Sequence, residues 1–171
     1  MKFRRIFIAI LSAFLLASCA KTISPNAPVA KDFNIVKFSG LWYEIAHIKG
    51  FGSSLENTAY EIFVDKNGTI NVLKSAQTQN GKLKSDSWEM YFSEKSNIGK
   101  LYRKGSMKNS EFSVVQTDVD YTYALIFGDS TDELYILSRQ KIVPELIRNI
   151  YVKKAVENGY KADKIVWTKQ K

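Results

Sequence analysis

One cysteine, one histidine and three prolines are all that this 171-residue chain holds of each, and each scarcity excludes something. With Cys19 alone, no disulfide can form within the chain, so the fold must close on packing and hydrogen bonds. With His47 alone, no pair of imidazoles is available for a metal site, and no mature thiol joins it in a cysteine–histidine couple. Standing at the end of the first expected strand, His47 reads as a surface or rim residue. No apolar run reaches the roughly 20 residues that span a bilayer as a helix. No glycine-rich phosphate loop or nucleophile elbow is present. Basic residues outnumber acidic ones, 25 to 17, but they are scattered between apolar residues along the whole chain. A nucleic-acid footprint would need them clustered, so attraction to anionic lipid surfaces is the more modest reading.

What the chain does have begins at its N-terminus. Lys2, Arg4 and Arg5 precede an apolar run over 6–17 that ends in Leu16-Ala17-Ser18-Cys19. A basic segment followed by an apolar run of this length is a signal for export. Its ending resembles the lipobox of bacterial lipoproteins, in which a cysteine after a small residue is acylated on sulfur and becomes the new N-terminus. That resemblance implies a signal peptide over 1–18 and lipidation at Cys19. Ala20 and Lys21 lack the aspartate that retains such proteins at the inner membrane, which points to the periplasmic face of the outer membrane. Removing 18 residues from 171 leaves 153, enough for one domain with a real core, and lowers the formal charge from +8 to +5. Residues 19–32, with Pro25 and Pro28, read as an extended lipidated tether, and 33–171 as the domain.

Within the domain, apolar and polar residues alternate in short runs, as half-buried strands require. The pattern predicts eight strands near 41–48, 57–65, 69–77, 83–93, 98–103, 111–118, 121–128 and 133–139. Asn67-Gly68 and Asn80-Gly81 fall between runs and signal tight hairpins, because both turn residues must accept positive φ. Asn67-Gly68-Thr69 also matches a glycosylation sequon, which a hairpin explains better. Consecutive antiparallel strands make a meander, and rolling it shut removes two exposed edges. The period then changes: Ile147, Ile150, Tyr151 and Ala155 share one face of a helix expected over about 143–158, with Pro144 in its first turn and Gly159 beyond its end. Ile165-Val166-Trp167 reads as a short ninth strand. The fold class is therefore all-β: an eight-stranded antiparallel up-and-down barrel with a C-terminal helix packed outside.

Three blocks carry a family resemblance. Gly40-Leu41-Trp42-Tyr43-Glu44-Ile45-Ala46 resembles the Gly-x-Trp signature of the lipocalins, 118–125 resembles their second motif in a loose bacterial form, and Ile136-Leu137-Ser138-Arg139 resembles the third. The likeness covers about residues 33–169 and is nearest to bacterial outer-membrane lipocalins, which are lipoproteins. It departs at 98–112, which are charged where the family pattern suggests an apolar, glycine-rich strand pair.

The resemblance implies that Gly40, Trp42 and Arg139 close one end of the barrel, the arginine lying over the indole face; pattern alone would also allow Trp42 as plain core and Arg139 as plain surface. If Trp42 and Arg139 point inward, period two places Glu44, Ala46, Tyr135 and Leu137 in the lumen. Family registers extend the ligand-binding set to Tyr60, Ile62, Val72, Lys74, Trp88, Met90 and Phe92. Glu44 and Lys74 are its polar exceptions. Lys74 either meets an anionic headgroup, or pairs with Glu44, or faces solvent if the register slips by one.

The expected function is the binding, storage or transport of a long-chain fatty acid or lysophospholipid in the barrel at the outer membrane, with no catalytic residue, cofactor or metal. Alternatives are a lipocalin-fold enzyme acting on a lipid or hydroperoxide, and a scaffold binding an envelope partner through its basic face. A homodimer through the mouth or the basic strands near 98–108 is compatible with the pattern.

Overall fold

A computed structural model describes residues 29–48, 55–105 and 109–171. The signal segment, Cys19 and most of the tether lie outside the described residues. Eight strands follow in order: β1 (Gly40–Ile48), β2 (Glu56–Val64), β3 (Ile70–Gln77), β4 (Leu83–Phe92), β5 (Lys100–Arg103), β6 (Ser110–Thr117), β7 (Tyr123–Phe127) and β8 (Leu134–Ser138). Each pairs with the next, β8 returns to β1, and β1 pairs with β2, so the sheet is a closed antiparallel barrel. Hairpins stand at both Asn-Gly pairs, but only the glycine of each takes a positive φ, 83° at Gly68 and 80° at Gly81, while Asn67 and Asn80 do not; Asp65 accepts the backbone N–H groups of Asn67 and Thr69.

A helix, α2 (Glu145–Glu157), follows Pro144 and lies outside the barrel. Its Tyr151 and Ala155 pack on the outer faces of β1, β6, β7 and β8 through Ile45, Ala46, Val115, Leu125 and Ile136. A second apolar cluster lies inside the barrel, forming its floor and the inner wall. A short helix absent from the sequence reading, α1 (Ile35–Phe38), precedes β1, with Asn34 Oδ1 accepting from Val36 and Lys37 N–H as its cap. One turn is too short to show a period, so alternation could not announce it.

The ninth strand, β9 (Val166–Trp167), takes a specific place. β1 pairs with β2 only through Gly40–Tyr43, and further up its Ala46 and His47 pair with Trp167 and Val166 instead. The C-terminal segment thus enters where β1 and β2 part. Thr168 N–H donates to Ile45 O at 2.9 Å, Asn57 N–H to Lys169 O at 2.8 Å, and Gln170 Nε2 donates to both Glu44 O at 2.8 Å and Thr58 O at 2.9 Å.

Candidate functional site

The closed end is assembled around Arg139, which leaves the end of β8. Its guanidinium lies 3.8 Å from the centroid of the Trp42 ring and donates to the carbonyls of Leu41, Lys37, Phe38, Ser39 and Tyr121 at 2.7–3.2 Å. Four of those carbonyls lie at the end of α1 and the start of β1, groups that a one-turn helix cannot satisfy by itself. Trp42 Nε1 donates to Phe38 O at 2.7 Å. Gly40 has φ of 101°, and a Cβ there would meet Arg139 Nη1 at 3.2 Å, so both backbone and space favour glycine. Phe33, Phe38, Trp42 and Tyr121 pack their rings at 5.0–6.5 Å beneath the lumen.

Above this floor lies a cavity of about 620 Å³. Eight of the eleven expected lumen residues line it: Tyr60, Ile62, Val72, Lys74, Trp88, Met90, Tyr135 and Leu137. The sequence reading missed Ile35 and Phe38 at the bottom, Ile70, Leu101, Phe112, Val114 and Ile126 in the wall, and Asp86, Arg103, Lys104, Ser110 and Glu133 toward the opening. Ile70, Asp86 and Glu133 are two residues from positions already assigned, so period two contained them. The residues of β5, β6 and β7 needed a register that the charged stretch over 98–112 concealed.

Three expected lumen residues do not line the cavity. Ala46 is a correction: β1 bulges at Ile45, with Glu44 opposite Leu137 and Ala46 opposite Ile136, so the alternation inverts. Ala46 therefore joins the outer cluster beneath α2. The same inversion puts His47 opposite Tyr135 and buries it to 6% exposure, rather than leaving it at the surface or rim. Phe92 is inward but belongs to the floor, its ring 6.5 Å from Phe33. Glu44 is also inward, yet it stands behind the cavity wall because its oxygens are taken up by other groups. Tyr60 Oη donates to Oε2 at 2.5 Å, and Thr168 Oγ1 to Oε1 at 2.8 Å. His47 Nδ1 lies 2.9 Å from Oε1.

Burial raises the Glu44 pKa, but the hydrogen bond and charge of His47, the Tyr60 hydroxyl and the charge of Lys74 outweigh it and hold the carboxyl below the ordinary carboxylate value. An ionised carboxylate only accepts, so His47 Nδ1 carries the proton between them. Burial, with the Glu44 charge next, pushes the Tyr60 phenol well above its usual value, and burial does the same to Tyr135, whose hydroxyl donates to Glu133 at 2.7 Å. Lys74 Nζ lies 5.6 Å from the Tyr60 ring centroid. The saturated carboxylate behind Tyr60 presents no base to the cavity. Among the described residues no group of three His, Cys, Asp or Glu could hold a metal ion. The arrangement can enclose an apolar body and place charge at one end of it.

Comparison with known proteins gives a consistent picture. The family described as Lipocalin-like domain matches residues 33–170. The Outer membrane lipoprotein Blc of Citrobacter freundii is 26% identical, the alignment covering 99% of this chain and 98% of that protein. The protein of the same name from Vibrio cholerae is 30% identical over 98% of this chain and 99% of its own length. Temperature-induced lipocalin-1 of Arabidopsis thaliana is 32% identical over 83% and 82%. Among solved structures, lobster apocrustacyanin A1 superposes with a TM-score of 0.64 at 16% identity, covering 86% of this chain and 93% of that one, which bears on the fold alone.

Proposed function

This chain belongs to the lipocalin family, whose members bind small hydrophobic ligands, and on that footing we propose that its barrel holds one single-chain amphiphile, a long-chain fatty acid or a lysophospholipid, at the outer membrane. The observation that carries the reading is the cavity itself: apolar walls, a floor sealed by Arg139 over Trp42, and charged side chains confined to the open end. Its volume falls in the range of about 300–1,000 Å³ usual for small-ligand sites. Burying an acyl chain contributes about 0.8 kcal/mol per methylene before the costs of association, while the charged rim selects the headgroup.

The protein acts as a binding and carrying cup rather than as an enzyme. Acylation of Cys19 anchors it, and the tether reaches the barrel near its floor, where Ala30 N–H donates to Val114 O and Gly99 N–H to Ala30 O. Ten residues of extended chain span up to about 33 Å, so the barrel remains close to the periplasmic face of the outer membrane. The names of the bacterial relatives, outer membrane lipoproteins, support this placement.

Native mass spectrometry of the protein purified from the cell envelope tests the reading. The expected result is a 1:1 adduct with the mass of an acyl amphiphile, displaced by added hexadecanoate. Protein that carries no adduct and binds neither hexadecanoate nor palmitoyl lysophosphatidylcholine in calorimetry would overturn it. Replacement of Cys19 by alanine is expected to release the chain from the membrane fraction.

A further inference from the structure

The barrel wall is uneven. β3 and β4 pair along their full length, from Ile70–Met90 to Gln77–Leu83. β4 and β5 pair through only three residues of each strand: Met90 with Arg103, Tyr91 with Tyr102, and Phe92 with Leu101. β5 ends at Arg103, so the stretch of β4 from Leu83 to Glu89 rises with no β5 partner beside it. Among the described residues the wall therefore has a notch, and the cavity reaches it: Asp86 and Trp88 line one side, and Arg103, Lys104 and Ser110 the other.

Two observations in this notch point to a ligand group. The Arg103 guanidinium carbon lies over the Trp88 ring, 4.7 Å from its centroid. A guanidinium held over a ring face by cation–π attraction keeps its N–H donors, which lie in its own plane, available as a fork that fits a carboxylate or a phosphate. Trp88 Nε1 is shielded from solvent and has no hydrogen-bond partner among the described residues. A buried N–H left in this state is destabilising, and an acceptor supplied by a ligand would remove that cost.

The other cation at the opening is placed differently. Lys74 faces Asp86 directly across the strands and acts on the Glu44 carboxylate, so its charge is already balanced by the protein. The cross-strand neighbours of Arg103 are Met90 and Ser110, which carry no charge.

We propose that the β4–β5 notch is the headgroup subsite of the cavity: Arg103, placed over the Trp88 ring, binds the oxyanion of the amphiphile, and the Trp88 indole N–H donates to the same group. The acyl tail then runs inward past Met90 and Leu101 toward Phe38, and the headgroup leaves through the side of the barrel rather than over Lys74. The inference rests on the cup reading and adds to it the position and chemistry of the headgroup.

Calorimetry with three ligands of one tail length separates the two: hexadecanoate, palmitoyl lysophosphatidate and the neutral hexadecanol. Arg103→Met keeps the aliphatic stem and removes the fork. It is expected to weaken both anions by roughly tenfold or more and to leave hexadecanol within twofold, which also shows that the variant is folded. Trp88→Phe keeps an aromatic face under Arg103, though one ring smaller, and removes the donor; it is expected to weaken the anions by about threefold to tenfold with hexadecanol within twofold. A loss confined to hexadecanoate or to the lysophosphatidate identifies the headgroup as a carboxylate or a phosphate, and either result supports the subsite. If wild type binds all three and Arg103→Met binds the anions as tightly as wild type, the notch is not the headgroup site, while the cup stands. If wild type binds none, the cup reading falls and the subsite falls with it.

Discussion

Twice around the barrel, neighbouring strands part, and the two partings are treated in opposite ways. Between β1 and β2 the gap is filled by the C-terminal segment, which satisfies backbone groups on both sides and caps the buried Glu44–His47–Tyr60 cluster through Thr168. Between β4 and β5 nothing among the described residues fills the gap, and its contents are an arginine over an indole ring and an indole N–H without an acceptor. The closed seam carries stability because the chain itself supplies partners for its backbone carbonyls and for the Glu44 carboxylate, and only Thr58 Oγ1 and Gln170 Oε1 are left without one there. An open one leaves donors for something outside the chain.

The most severe way to break this contrast is to remove the wedge. Deleting residues 166–171 takes away the β9 pairing and the Gln170 bonds and leaves Glu44 and Thr58 carbonyls without partners. It is expected to cost about 3–5 kcal/mol, enough to abolish cooperative thermal unfolding followed by circular dichroism or to lower its midpoint by more than 10 °C. A smaller effect is expected from Glu44→Gln, about 1–3 kcal/mol in urea denaturation, because Tyr60, His47 and Thr168 lose a charged acceptor.

The same substitution has a pH signature. Folding holds the Glu44 pKa below its unfolded value, so its contribution is complete above the ordinary carboxylate range and disappears as acid protonates it in the native state. Wild type should therefore lose stability on acidification more steeply than Glu44→Gln. Parallel profiles would remove Glu44 from that account.

On the open side, Trp88→Phe is expected to change stability by less than about 1 kcal/mol, since removal of an N–H without a partner offsets the packing lost with the smaller ring. The smallest effect is assigned to Lys74→Ala, expected to alter hexadecanoate affinity by less than about threefold because Asp86 and Glu44 already balance that charge. A tenfold loss there would move the headgroup to the β3–β4 side.

Much of this was legible beforehand, for identifiable reasons. Strand alternation marks half-buried β-structure wherever one face is wet, and all eight strands, the helix and β9 lie within a few residues of where the pattern put them. Tyr60, Ile62, Val72, Trp88 and Met90 were assigned through the family resemblance, and they line the cavity because the pairings of β2, β3 and β4 carry no bulge between Tyr60 and Met90 that would turn them to the other face. Ala46 and His47 were misplaced because a bulge adds one residue to a strand without altering its composition, and everything after it changes face. The floor helix was invisible because one turn carries no period. Arg103 was missed because charge in a strand looks like a solvated face until its neighbours are known.

By itself the chain determined its own periodicities, its turns and the three blocks that mark the family, because those depend on residues adjacent in sequence. Only the tertiary structure decided which strands stop short of their neighbours, where the C-terminal segment fits, and that Glu44 is sealed behind Tyr60 while Arg103 stands open beside Trp88. Those are matters of register between residues far apart in the chain, and a shift of one position inverts them.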